Sequence, residues 1–328
     1  MVYRVIKMDG DGAGEGGGGG FPALQAGWGW CRKGGMNPHD NRPLPPDPAT
    51  APDVADLIRR ALDEDVGPGD ATTEALVDPA LPASAVIAAR EPMTLSGLSV
   101  AAAAFRAVDP RTACTPLARD GDAVPAGTAV LRVEGPARAL LTAERTALNL
   151  LQRMCGIATA TAALARLLDG LPTQLLDTRK TAPGFRRLDK YAVACGGGTN
   201  HRIGLHDAIL IKDNHLAFWR ANHKGTLADA VRAARAARPG LKIEIEVDTL
   251  DQLREALPGS PDWVLLDNMP PPLLREAVSL CAGRCKTEAS GGITAATLRA
   301  AAETGVTAIS VGALTHSVRA ADLGLDFD

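Results

Sequence analysis

Aromatic side chains are scarce: Phe, Trp and Tyr together make up 3 % of the sequence, so the core must be filled by Ala, Leu, Val and Ile. Excess positive charge is absent too. The formal net charge is −3, which argues against a general nucleic-acid binder, whose contact face is normally strongly basic. No apolar run approaches the ~18 residues that a membrane-spanning helix needs. The first 30 residues contain no apolar core of a secretory signal, so the expected compartment is the reducing cytoplasm. None of the six cysteines forms a C-x-x-C pair, and Cys281-x3-Cys285 has no second pair nearby, so free thiols are expected rather than a metal site. What remains is ordinary for a globular protein, 46 % apolar and 22 % charged, in 328 residues that suffice for two domains or one large barrel.

Residues 1–50 read as a disordered extension, glycine-dominated in "DGDGAGEGGGGGF" and proline-rich in "NPHDNRPLPPDPATAPD". Met36 is a candidate alternative start, and Trp28 and Trp30 have no evident role there. Residues 51–150 should form a small α+β sandwich domain. Val54, Leu57, Ile58, Ala61 and Leu62 recur at helical spacing before "GPG", and "SAVIAAR", "TACTPLA" and "AVLRVEG" are short strand-like runs. A long helical stretch from "ALLTAERTALNLLQ" onward leads into residues 151–313, and the C-terminal 314–328 is a candidate to return and pack on the first domain. The second half has a regular beat. Strand-like runs end at 247, 267, 290 and 312, separations of 20, 23 and 22 residues, with helical stretches between them. That is a βα repeat, expected to close into an α/β barrel.

Barrel chemistry gathers at the C-terminal ends of the strands. Here those ends are Thr178-Arg179-Lys180, Lys212, Glu246, Asp267, Ser290-Gly291-Gly292 and Gly312. Gly291-Gly292 and Gly312 precede helices, with Thr294 as N-cap of the first and Thr315 and His316 in the second; such loops suit phosphate. Glu246 and Asp267 could hold a divalent cation, meet sugar hydroxyls or stabilise a developing carbocation. Between positions 177 and 212 seven cations face three anions, a surplus of four in an acidic chain. The site should therefore hold a ligand, or two ligands, with several negative charges. Arg186, Arg187 and Lys190 read as a solvated helix face that adds long-range attraction for anions.

The blocks "ERTALNLLQRMCGIAT", "DTRKTAPGFRRLDKYAVACGGGTNHRIGL", "IKDNHL", "EIEVDTLDQL", "LLDN", "EASGGI" and "VGALTHS" together resemble the quinolinate phosphoribosyltransferase family, in order from about residue 54 to the C-terminus. The resemblance implies a type II phosphoribosyltransferase: a small N-terminal domain joined to an incomplete, seven-stranded α/β barrel. It implies transfer of phosphoribosyl from phosphoribosyl pyrophosphate (PRPP) to quinolinate with decarboxylation, giving nicotinate mononucleotide for NAD synthesis; a paralogue acting on another nitrogenous acceptor is the alternative. Magnesium is implied with PRPP, and no organic cofactor. By position, Arg145, Arg179, His201 and Arg202 should clamp the quinolinate carboxylates. Lys180 and Lys212 should lie between quinolinate and pyrophosphate, and Glu246 and Asp267 should face the ribose and any bound metal. Ser290, Gly291, Gly292, Gly312 and His316, with Lys180, should cradle the phosphates. The family pattern further implies a homodimer, or a hexamer of dimers, in which Arg145 completes the neighbouring subunit's site. Phe185, Asp189 and Cys155 depart from the residues usual in the family.

Overall fold

The computed structural model describes residues 43–328, so Trp28, Trp30, Met36 and most of the expected extension lie outside the described residues. One correction falls at its edge. Order begins before residue 51, because Pro48–Thr50 forms a 3-10 turn capped by the Asp47 carboxylate, and Ser99 donates to the same carboxylate at 2.6 Å.

The helix α1 (Pro52–Val66) buries Val54, Leu57, Ile58 and Leu62, the face its spacing predicts, and stops at Gly67, whose φ of 54° suits glycine. A short α2 (Ala71–Leu76) follows, with the Asp70 carboxylate accepting the Thr73 N–H at 3.0 Å. Next come β1 (Pro82–Ala89), β2 (Met93–Thr94), α3 (Leu98–Val108), β3 (Ala113–Pro116), β4 (Ala123–Val124) and β5 (Ala129–Pro136). α3 packs alanines and Phe105, the largest fully buried side chain among the described residues, on this layer. Small side chains let the elements approach closely, which is how a core poor in aromatics reaches native density.

α4 (Ala137–Arg166) is one continuous helix of 30 residues, ~45 Å long at ~1.5 Å per residue, and runs through the expected 150/151 boundary. The barrel half then lays down β6 (Gln174–Leu176), α5 (Arg186–Cys195), β7 (Ile209–Ile211), α6 (Asp213–Asn222), α7 (Leu227–Ala237), β8 (Ile243–Val247), α8 (Leu250–Ala256), β9 (Trp263–Asp267), α9 (Pro271–Cys281), β10 (Lys286–Ser290), α10 (Ala295–Ala302), β11 (Ala308–Ser310) and α11 (Ala313–His316). Their sheet is parallel, in the order β6-β11-β10-β9-β8-β7. A seventh position is reduced to one parallel bridge, Leu176 with Thr199. Six strands and a bridge therefore stand where seven strands are expected; among the described residues no pairing joins β7 to the Thr199 segment.

The chain ends in β12 (Leu323–Phe327), which pairs with β1 in a four-stranded antiparallel sheet of order β12-β1-β5-β3. Gln152 on α4 ties this return: its carbonyl accepts Ala321 N–H and its side chain donates to Leu323, at 2.9 and 2.8 Å. A Cβ on Gly156 would fall 2.2 Å from the Arg319 carbonyl, so the helix face at this contact has no room for a side chain.

Candidate active site

Side chains alternate along a strand, so residues two apart share a face. In β8, Ile243, Ile245 and Val247 are buried on the helix side, while Glu244 and Glu246 point into the barrel. The same parity aligns Leu210 on β7 with Lys212 just after it, Leu265 and Asp267 on β9, and Glu288 and Ser290 on β10. A cavity of about 560 Å³ results, with Lys212, Glu246, Asp267 and Ser290 at its rim and Leu210, Leu265 and Glu288 deeper. Thr178, Arg179, Lys180, His201, Arg202, Asn268, Gly291 and Ser310 complete its wall.

Ten of the residues singled out in the sequence thus converge: Thr178, Arg179, Lys180, His201, Arg202, Lys212, Glu246, Asp267, Ser290 and Gly291. Gly312 and His316 stand beside them rather than in the wall. A Cβ on Gly312 would meet Lys180 Cδ at 3.0 Å and His316 Nε2 at 3.1 Å, and Lys180 and His316 line an adjoining cavity of about 460 Å³. Gly292 follows Gly291 in the same turn but lines neither cavity. Arg145 is not brought to the site within this chain; it lies exposed on α4.

The carboxylate rim is held on both flanks. Lys212 Nζ contacts Glu246 Oε2, and Asn268 donates to Asp267 Oδ2 at 2.7 Å. Asn268 has φ 54°, a left-handed conformation that Asn tolerates, and its N–H donates to the Ser290 carbonyl at 2.9 Å. Its side chain also closes on Gly291, whose φ is 87° and whose Cβ would lie 2.2 Å from Asn268 Oδ1. Glycine is therefore required there by conformation and by space. α11 has four residues, so the Gly312 turn offers backbone N–H groups with little helix dipole behind them.

The basic wall is electrostatically strained. Arg202 Nη1 donates to the Ala208 carbonyl at 3.0 Å, while its buried Nε has no partner among the described residues. Burial, and then the charge of Arg179, push the Arg202 pKa down. Two guanidiniums held this close favour an anion between them.

His201 is the most constrained of the group. Its Nε2 lies 3.0 Å from Glu244 Oε2 and 3.3 Å from Glu288 Oε2, and its Nδ1 accepts the Arg202 N–H at 2.7 Å. Burial disfavours the imidazolium, while the hydrogen bonds and charges of Glu244 and Glu288 pull the ring the other way, toward about 10. The Nδ1 contact opposes that, since a protonated Nδ1 cannot accept. The contact decides for a neutral ring with its hydrogen on Nε2; an imidazolium requires the ring to turn away from the Arg202 N–H. His201, Glu244 and Glu288 place their ligand atoms within 4.8 Å of one another, yet Nε2 presents a hydrogen and not a lone pair, so the cluster does not read as a metal centre.

Sequence reading missed several supports. Lys190 is buried and paired with Asp177, and Arg186 bonds to two loops, so only Arg187, paired with Asp53 at 3.0 Å, fits the solvated face expected of this trio. Asp189 and Phe185 form the seat of Arg153, through two hydrogen bonds of 2.9 and 2.8 Å and a guanidinium stacked 5.4 Å from the ring centroid. Glu244, Glu288 and Ser310 follow from strand parity counted inward from the charged ends. Cys195 is buried, and burial pushes its thiol up to about 12, in keeping with a packed thiol. Among the described residues, no helix is long and apolar enough to cross a membrane.

Residues 70–155 match the quinolinate phosphoribosyl transferase N-terminal domain, and residues 157–326 match the C-terminal domain of the same name. The chain belongs to the quinolinate phosphoribosyltransferase family. It is 46 % identical over 277 residues to the nicotinate-nucleotide pyrophosphorylase [carboxylating] of Mycobacterium leprae, covering 83 % of this chain and 96 % of the relative. A Bacillus subtilis relative described as a probable nicotinate-nucleotide pyrophosphorylase [carboxylating] is 42 % identical over 271 residues, covering 82 % and 92 %. The solved nicotinate-nucleotide pyrophosphorylase of Francisella tularensis superposes with a TM-score of 0.79 at 40 % identity, covering 85 % of this chain and 98 % of that one. The α/β barrel with a smaller α+β domain is thus the fold of this family.

Proposed function

We propose that this chain transfers the phosphoribosyl group of PRPP to the ring nitrogen of quinolinate and removes the 2-carboxylate, releasing pyrophosphate and CO2 and forming nicotinate mononucleotide in NAD biosynthesis. The observation that carries this reading is one cavity lined by the cations Arg179, Lys180 and Arg202 and, on three successive strand ends, by Lys212, Glu246 and Asp267. A dicarboxylate and a pyrophosphate suit the cations, and a ribose that becomes cationic suits the two carboxylates.

In this scheme the C1–O bond of PRPP breaks and its electron pair leaves with pyrophosphate. The resulting oxocarbenium faces Glu246 and Asp267, and the pyridine nitrogen donates its lone pair to C1. The 2-carboxylate then leaves as CO2, its bonding pair passing to C2 beside the ring cation, and a proton adds there. Arg179 and Arg202 meet the acceptor carboxylates. His201 lines the same wall and would turn from Glu244 and Glu288 to donate to them. Lys180, Ser290, Gly291 and Gly292 meet the phosphates, with Gly312 and His316 beside Lys180. The protein mostly positions and neutralises, and orientation alone can supply ~7–11 kcal/mol.

Mg2+ fits the rim, because Glu246 and Asp267 are hard oxygen donors on neighbouring strands. Bound with PRPP, it would neutralise pyrophosphate charge. Lys212 engages one Glu246 oxygen and Asn268 one Asp267 oxygen, which leaves one oxygen of each carboxylate for the ion. Arg145 is assigned to a neighbouring subunit's site in a homodimer or dimer-based hexamer; its exposure on α4, one turn from the exposed Leu141, supports a surface role. The cytoplasm suits the five described cysteines, all of them free thiols. Binding tests the acceptor assignment: quinolinate should bind at least about tenfold more tightly than nicotinate, the worth of one further charge-assisted contact. Equal affinities would remove the second carboxylate from the argument.

A further inference from the structure

Two loops supply the cations of the acceptor side. One leaves β6 and carries Arg179 and Lys180; the other follows the 196–198 glycines and carries His201 and Arg202. Strand pairing between them amounts to the single bridge of Leu176 and Thr199. Beyond it the connections come from α5, which places Arg186 and Lys190 one turn apart on one face.

Lys190 Nζ donates to Asp177 Oδ1 at 2.5 Å and to the His201 carbonyl at 2.9 Å. The same Asp177 oxygen accepts the His201 N–H at 2.8 Å, and Oδ2 accepts the Asn200 amide at 2.7 Å. Asp177 directly precedes Thr178-Arg179-Lys180, so this one ion pair holds the roots of both loops. Arg186 repeats the arrangement nearer the solvent. It donates to the Arg179 carbonyl at 3.0 Å and Thr181 Oγ1 at 2.6 Å on one loop, and to the Ile203 carbonyl at 2.7 Å on the other.

We infer that Arg186, Lys190 and Asp177 are positioning residues for the acceptor: together they fix the separation of Arg179 and Arg202, and so the spacing of carboxylates the site accepts. This rests on the proposal that those two arginines bind the acceptor. Stability alone is a poor explanation of the inner pair. Lys190 and Asp177 are 2 and 0 % exposed, and burial pushes the lysine pKa down and the aspartate pKa up, so both charges are held against desolvation. Buried pairs of this kind are often replaceable by apolar groups without loss of stability, whereas the loop geometry they impose is not. Of the groups assigned to the phosphates only Lys180 lies on a braced loop, between two Arg186 contacts, and the Ser290–Gly292 turn receives no hydrogen bond from either side chain, so the effect should fall more heavily on the acceptor than on PRPP.

The test compares Arg186→Met, Arg186→Lys and the double variant Asp177→Asn/Lys190→Met, with Arg179→Ala as reference. KM for quinolinate, direct PRPP binding without acceptor, and melting temperature are read for each. Arg186→Met should raise the quinolinate KM about tenfold or more, the loss of roughly one well-aligned charged contact, while PRPP affinity, held mainly by the unbraced Ser290–Gly292 turn, falls clearly less. Arg186→Lys, able to reach one of the three acceptors, should recover part of the loss, and the double variant should resemble Arg186→Met. A lowered melting temperature with both affinities unchanged would overturn the inference, as would parallel loss of both. Should the double variant not fold, the two Arg186 variants decide. If Arg179→Ala itself leaves the quinolinate KM unaltered, the acceptor assignment fails rather than the brace.

Discussion

Replacing Arg202 by methionine removes a guanidinium that the ligand-free protein holds at a cost. Burial and the neighbouring Arg179 push its pKa down, and its Nε hydrogen meets no acceptor among the described residues. Methionine keeps an apolar stem in the same space and gives up the bond to the Ala208 carbonyl, worth ~0.5–1.5 kcal/mol net. Relief of repulsion with Arg179 offsets part of that, so the melting temperature without ligand should move by only a few degrees. Acceptor binding should respond very differently. Each charge-assisted hydrogen bond to a carboxylate is worth ~1.5–3 kcal/mol, which at ~1.36 kcal/mol per decade is ~10- to 150-fold in kcat/KM for quinolinate. The assay pairs steady-state kinetics with thermal melting, each with and without quinolinate. The wild type should gain melting temperature from quinolinate, and Arg202→Met should lose that gain while keeping its ligand-free value. A large ligand-free loss together with unchanged quinolinate kinetics would refute the reasoning, because it would make Arg202 a structural group.

Gly291→Ala must adopt φ near 87° and bring Cβ to 2.2 Å from Asn268 Oδ1; left-handed backbone alone costs ~1–2 kcal/mol. Its melting temperature should fall and its PRPP affinity weaken more than its quinolinate affinity, by thermal melting and direct titration. Arg145→Ala should lose turnover while folding normally, and mixing it with Lys180→Ala should restore part of the activity once subunits exchange; demonstrated exchange without recovery counts against a shared site. Acid stability has a definite sign. Hydrogen bonds from Arg111 hold Asp109, and those from Thr226 and Arg232 hold Asp229, at about 2, below the ordinary 3.8, so their contribution is present above that value and lost as pH falls through about 2. Asp229→Asn should flatten the low-pH limb of an unfolding curve and leave the neutral-pH limb nearly unchanged.

Fold and site were legible to different depths. The 20- to 23-residue beat located β8, β9, β10 and β11, because each apolar run ends in a charge or glycine that the topology requires there. The early part of the barrel was harder to read: the second strand position has shrunk to the bridge at Thr199, which leaves no apolar run to see. At the site, the rim residues were visible because charge interrupts apolar sequence. Glu244 and Glu288 were hidden in the middle of strands, where only the two-residue period reveals that they face inward. Lys190 and Arg186 misled because a helix rich in cations resembles a solvated face. What distinguishes them is Asp177, thirteen residues before Lys190, and that pairing exists only in three dimensions.

Turnover of quinolinate labelled in its 2-carboxylate, with PRPP and Mg2+ and with nicotinate run in parallel, decides whether the site transfers phosphoribosyl with decarboxylation. Nicotinate mononucleotide and labelled CO2 should form in equal amounts from quinolinate, with no product from nicotinate. Turnover of nicotinate, or mononucleotide that retains the label, would contradict this.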